Sequence, residues 1–149
     1  MSLAIVIKAP EGLVLAADSR VTIEIEPIGA NGEPFSVSFD NATKLVSFGE
    51  PNSAYGAVTC GLAVIGLRTG HSLLPEFQST LSTKTLKVAT FAKKLSDFFT
   101  EQWRENKSKL NEGIPMTFMV GGFDAGQPYG GVFSFEIPGM PKPVEMFPG

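Results

Sequence analysis

The stretch Lys8-Ala-Pro-Glu-Gly-Leu-Val-Leu-Ala-Ala-Asp-Ser-Arg-Val-Thr22 decides how the rest of the chain is read. Pro10-Glu11-Gly12 is a turn, because proline presets one backbone angle and glycine relieves another. On either side lie apolar runs, Leu3–Ala9 and Leu13–Ala17, of a length suited to short buried strands. The second run closes on small residues and then on Asp18-Ser-Arg20. An acid and a base held at a buried strand end, close to the chain start, point to chemistry at the N-terminus itself. The bland alternative is a structural ion pair that fixes the strand end.

Composition narrows the field. At 149 residues the chain is read as one domain, 1–149, with enough length to bury a core. Hydrophobic residues make up 43% and charged residues 18%, a balance too apolar for disorder. The net charge is −3 with no basic block, so neither a nucleic-acid nor a membrane partner is expected. No apolar run reaches the length of a membrane span and no signal-peptide pattern precedes the first strand. With Cys60 as the single cysteine, no internal disulfide can form and a cytoplasmic location is expected. His71 is the single histidine, so a His-rich metal site is excluded and no metal or cofactor is expected. His71 reads as a helix-end or surface residue, and Cys60, inside an apolar run, as a small hydrophobe.

Beyond Arg20 the chain alternates strictly. Val21, Ile23 and Ile25 stand against Thr22, Glu24 and Glu26, and Phe35, Val37 and Phe39 stand against Ser36 and Ser38. Asn31-Gly32 between them is a strong hairpin-turn signal, although Pro27 and Pro34 limit pairing near the turn. A protruding hairpin with one apolar and one polar face is predicted over 21–39. Lys44–Phe48 and Tyr55–Ile65 read as further strands. A first helix carries Leu73, Leu74, Phe77 and Leu81, with Pro75 tolerable only in its opening turn. In the second helix Phe91, Ala92, Leu95, Phe98, Phe99 and Trp103 follow Val88 at 3, 4, 7, 10, 11 and 15 positions, a single core-facing stripe. Met116–Gly122, Gly130–Ile137 and Pro143–Phe147 complete the strands. Strands, two helices and strands again give an α+β layered fold.

This order, with Gly12-Leu-Val-Leu-Ala-Ala-Asp-Ser-Arg20, Lys44-Leu45, Cys60-Gly-Leu62 and Met119-Val-Gly-Gly-Phe-Asp124, resembles the proteasome β-subunit and HslV-like family of N-terminal-nucleophile (Ntn) hydrolases. The resemblance covers nearly the whole chain except the hairpin at 21–39, which reads as an insertion. It implies a four-layer αββα sandwich, here apparently lacking the C-terminal helices and strands. It also implies a threonine-type endopeptidase chemistry with serine in the nucleophile position, peptide or protein substrates, a homo-oligomeric ring and an ATPase partner.

Carried over residue by residue, the resemblance makes Ser2 the nucleophile once Met1 is removed, Asp18 the acid, Arg20 its neighbouring base, Lys44 the buried lysine and Gly61 the oxyanion amide. Val21, Thr59 and Ala63 would border the substrate side-chain pocket. The chemistry is coherent: a hydroxyl needs a base, and a free α-amine has a reference pKa of about 7.7–8.0. Two departures stand out, serine where the family exposes threonine and the missing C-terminal serine and aspartate that support the nucleophile. Lys44 also reads as a surface lysine opening a strand. Two other functions fit the same pattern: a catalytically inactive assembly or scaffold subunit, and an amidohydrolase that is not a peptidase.

Overall fold

A computed structural model of the chain describes residues 2–25, 33, 35–106 and 113–148. β1 (Ala4–Ala9) and β2 (Gly12–Ala17) pair antiparallel around the expected turn, with Ala9 opposite Gly12. β3 (Val21–Ile25) and β4 (Phe35–Phe39) also pair antiparallel, Val21 opposite Phe39 and Ile25 opposite Phe35. The predicted turn at Asn31-Gly32 lies outside the described residues. On one face of this hairpin the Thr22 and Ser38 hydroxyls share a 2.9 Å hydrogen bond. On the other, Phe35 and Phe39 remain 54% and 49% exposed.

β5 (Leu45–Ser47) and β6 (Tyr55–Gly61) follow. The predicted strand Tyr55–Ile65 breaks at Gly61, whose φ of +85° lies in the left-handed region. A Cβ there would stand 2.3 Å from the Pro115 carbonyl oxygen, so the close crossing requires glycine. The next amide, Leu62 N–H, donates to that carbonyl at 2.9 Å. β7 (Val64–Ile65) then pairs with β8 (Arg68–Thr69) as a separate small ladder.

Helix α1 (Gly70–Thr80) is capped by Thr69, whose hydroxyl accepts from Ser72 N–H at 3.1 Å. With that start, Pro75 falls past the opening turn, a correction to the sequence expectation. It removes one helical N–H donor, and burial of Leu73, Leu74 and Phe77 holds the helix in place regardless. α2 (Val88–Asn106) buries Val88, Phe91, Ala92, Leu95, Phe99 and Trp103 of the predicted stripe and adds Ser96, while Phe98 is only partly buried at its edge. Its first turn is secured by a distant group: the Asp124 carboxylate accepts from Val88 N–H at 2.7 Å.

β9 (Met116–Gly122), β10 (Gly131–Ile137) and β11 (Met140–Met146) complete a five-stranded antiparallel sheet in the order β11-β10-β9-β6-β5. Alternation along its strands sorts the two faces. Ala57, Phe118, Val120 and Phe135 join the aromatic core beneath the helices. There the Phe118 and Phe135 rings stack at 4.9 Å and Phe99 meets Phe118 at 4.5 Å. Gly56 and Gly121 look the opposite way, where Leu13 and Leu15 of β2 lie against them.

The described residues therefore form three layers: two helices, the five-stranded sheet, and the β1–β2 hairpin. They do not form the four-layer sandwich that the resemblance implies: a second helical layer outside β1–β2, which the sequence reading takes to be lacking, is not among them. Leu3, Ile5, Ile7 and Val14 on that outer side are exposed.

Because Phe99 is fully buried between α2 and the sheet, Phe99→Ala is expected to lower unfolding free energy by about 3–5 kcal/mol in urea denaturation. A loss below about 1 kcal/mol would contradict the placement of α2 on the core.

Candidate active site

Ser2, Asp18 and Lys44 meet where β1 begins, β2 ends and β5 is about to start. The β1–β2 ladder brings the first two together: Asp18 N–H donates to the Leu3 carbonyl at 3.0 Å, and Leu3 N–H donates to Asp18 Oδ1 at 2.8 Å. Arg20 N–H donates to Asp18 Oδ2 at 3.0 Å. These amides, led by that of Leu3, together with the Lys44 ammonium, hold the Asp18 carboxyl down at about 2 against the opposing effect of burial.

Lys44 is 8% exposed, so the alternative of a surface lysine is set aside. Its carbonyl accepts from Thr59 N–H at 2.9 Å, which extends the β5–β6 ladder and aims the side chain at the cluster. Nζ lies 3.2 Å from Ser2 Oγ and 3.0 Å from each Asp18 oxygen, and it donates to the Arg20 carbonyl. An ammonium has three donors, and three neighbouring groups use them.

Arg20 takes a different part from the one the resemblance gave it. Its backbone joins the cluster, but its guanidinium turns outward and grips Asp40, Nε to Oδ1 at 2.5 Å and Nη2 to Oδ2 at 3.2 Å. That hydrogen bonding lowers the Asp40 carboxyl below its ordinary value and raises the guanidinium above its own. Asp40 was missed in the sequence. It follows from the hairpin register: the pairing of Val21 with Phe39 puts Arg20 opposite Asp40 one step further out, a register that the alternation of the two strands did not fix.

Val21, Thr59, Ala63 and Gly61 line one cavity of about 260 Å³ together with Lys44. Cys60, His71 and Met116 share that lining and were not assigned to it from the sequence. Burial pushes the Cys60 thiol up, which keeps it from being a ready thiolate. His71 stands exposed in the first turn of α1. A larger open groove of about 720 Å³ between α2 and β11 is lined by Lys93, Asp97 and Lys142 among others. Lys93 and Asp97 are ion-paired at 2.6 Å, and among the described residues none lining this groove belongs to the Ser2–Asp18–Lys44 cluster; the smaller cavity reaches that cluster through Lys44 and is the candidate. Among the described residues, no group of three or more His, Cys, Asp or Glu could hold a metal ion. No helix among them is long and apolar enough to cross a membrane.

No family model matches the sequence, and no curated protein matches it. Among solved structures the chain is similar to one titled the helical assembly of the Anbu complex from Pseudomonas aeruginosa. The TM-score is 0.62 at 22% identity, covering 97% of this chain and 56% of that one. The chain thus spans a little over half the length of that neighbour. These findings overturn the assignment to the proteasome β-subunit and HslV-like family. No model of that family matches, and at this identity the likeness shows the fold alone. What stands is an α+β fold shared with that neighbour.

The lowered Asp18 value has a consequence for acid stability. A carboxyl whose folded value lies below its unfolded one stabilises the protein above the unfolded value, and that gain is lost as pH falls toward the folded value. Between pH 5 and about 2 the loss through Asp18 is on the order of 2 kcal/mol. Asp18→Asn is expected to flatten this part of the stability–pH curve measured by chemical denaturation. An equally steep acid limb in the variant would rule out Asp18 as its source.

Proposed function

We propose that the protein hydrolyses amide bonds, peptides first among them, with Ser2 as an N-terminal nucleophile freed by removal of Met1. The observation that carries this reading is the Lys44 ammonium, held by Asp18 and standing 3.2 Å from Ser2 Oγ. A charged lysine that donates to Oγ cannot also take the hydroxyl proton. That proton must go elsewhere, and the α-amine of Ser2 is the base closest in covalent terms.

In the reaction, the neutral α-amine accepts the hydroxyl proton as Oγ bonds to the carbonyl carbon. Lys44 stabilises the oxygen as its negative charge grows, and Asp18 keeps the ammonium in place. The carbonyl oxygen becomes an oxyanion, for which the Gly61 amide is the assigned donor. The carbon–nitrogen bond then breaks, the departing amine takes the proton from the α-ammonium, and an ester remains on Ser2. Water, deprotonated by the same α-amine, attacks the ester carbonyl, releases the acid and returns the proton to Oγ. Val21, Thr59 and Ala63, which line one cavity with Lys44, support a substrate side chain seated beside the nucleophile.

A second reading is supported by the exposed apolar residues. Leu3, Ile5, Ile7 and Val14 on one surface and Phe35 and Phe39 on the hairpin suit subunit contacts, and the neighbouring fold belongs to a helical assembly. In this reading the chain is a subunit of an oligomer, active or not. Phe35→Ser with Phe39→Ser is then expected to lower the particle mass seen by light scattering. An unchanged mass would remove the hairpin from any such contact.

The hydrolase reading is tested by intact-mass analysis of Met1-free protein after treatment with a peptide epoxyketone. One covalent adduct at Ser2 is expected, with Lys44→Ala slowing its formation by about 10²–10³-fold. Absence of any adduct on protein shown to begin at Ser2 would overturn the reading.

A further inference from the structure

The β3–β4 hairpin is joined to the Ser2–Asp18–Lys44 cluster through one short segment. At its root, Ala42 N–H donates to the Ser19 carbonyl at 2.8 Å. The neighbouring Arg20 is bound on three sides. Its N–H reaches Asp18, its carbonyl receives Lys44, and its guanidinium grips Asp40 with two bonds. Immediately beyond these contacts, Val21 on one strand and Asn41 and Ala42 after the other enter the lining of the 260 Å³ cavity.

We propose that Arg20 and Asp40 are a positioning pair that fastens the β3–β4 hairpin as a wall of the substrate pocket, so that they govern the fit of a side chain seated there. This rests on the hydrolase reading above for what the pocket holds. The pair is not a device for global stability, because both side chains are mostly exposed, 61% and 69%, and exposed ion pairs contribute little. Its place in the sequence supports a local role. The salt bridge closes the hairpin ladder at the end that touches the cluster, one step beyond Val21 and Phe39. Fixing that end fixes where Val21 and Ala42 stand relative to Lys44. The parts of the hairpin that enter the lining, Val21, Asn41 and Ala42, carry no ionisable group, and neither do Thr59, Ala63 and Met116 beyond them. Of the two basic side chains in the lining, Lys44 has its donors occupied and His71 stands exposed at the start of α1. The wall formed by the hairpin therefore suits an uncharged side chain of the substrate.

The test compares two probes on Met1-free protein: a small alkyl β-lactone that reaches only the hydroxyl, and a peptide epoxyketone with a leucine side chain for the pocket. Asp40→Asn is expected to slow the peptide probe by roughly tenfold while changing the β-lactone rate by less than about twofold. The exchanged pair, Arg20→Asp with Asp40→Arg, is expected to recover most of the peptide rate. In parallel, hydrogen exchange across residues 35–43 is expected to quicken in Asp40→Asn and to slow again in the exchanged pair.

Equal rates for both probes in wild type and Asp40→Asn would overturn the proposal. So would a parallel fall of both probes, which would mean that the pair acts on the nucleophile and not on the wall. If neither probe modifies the wild-type protein, the hydrolase reading fails. The fastening is then judged by exchange alone, and unchanged exchange in Asp40→Asn overturns it.

Discussion

The Lys44 ammonium is the constraint on which the rest of the site depends. A charge only 8% exposed is costly to bury unless each of its donors is met. Here the acceptors come from three segment ends, all far from Lys44 in the sequence: the chain start at Ser2, the end of β2 at Asp18, and the Arg20 carbonyl at the foot of the hairpin. The lysine backbone is itself fixed to β6 through Thr59. Meeting the needs of one cation thus pins the start of β1, the exit of β2, the root of β3 and the entry to β5. Removing a single acceptor would leave part of the charge unpaired, so these segments hold their relative places as a group.

That constraint explains why the cluster and the fold are joined. The five-stranded sheet buries an aromatic core under two helices and, on its other side, receives Leu13 and Leu15 of β2. Packing β2 on the sheet carries Asp18 toward Lys44, and the tight Pro10-Glu11 turn brings Ser2 back to the same end along β1. The chemistry sits at a layer boundary, where three short segments end together and leave a cavity beside them.

Much of this was legible in the sequence, for identifiable reasons. α2 could be read because its apolar residues repeat with the helical period, and β9 because Met116–Gly122 is an uninterrupted buried strand bounded by proline and a turn. Ser2, Asp18 and Lys44 came from the resemblance, and the structure brings their side chains within hydrogen-bonding distance. The outward turn of Arg20 was not legible, because a residue name does not tell which of two carboxylates it will choose. Asp40 followed from hairpin register, which the alternation alone did not fix. The break after Gly61 depends on a close approach to Pro115 that lies far away in the chain. Family membership went furthest astray: shared order of motifs indicated a fold, and the fold is what the comparison with Anbu supports.

The central claim is that Lys44 stays charged as a donor to Ser2 while the α-amine of Ser2 acts as the base. The most direct measurement is the pH dependence of Ser2 acylation by an activated ester, made on Met1-free protein and on the same protein with its α-amine acetylated. The expected result is a rate that rises with a single midpoint near the ordinary α-amine range of about 7.7–8.0, and that falls by at least about 10²-fold on acetylation. A rate that rises with the same midpoint whether or not the amine is blocked would contradict the claim.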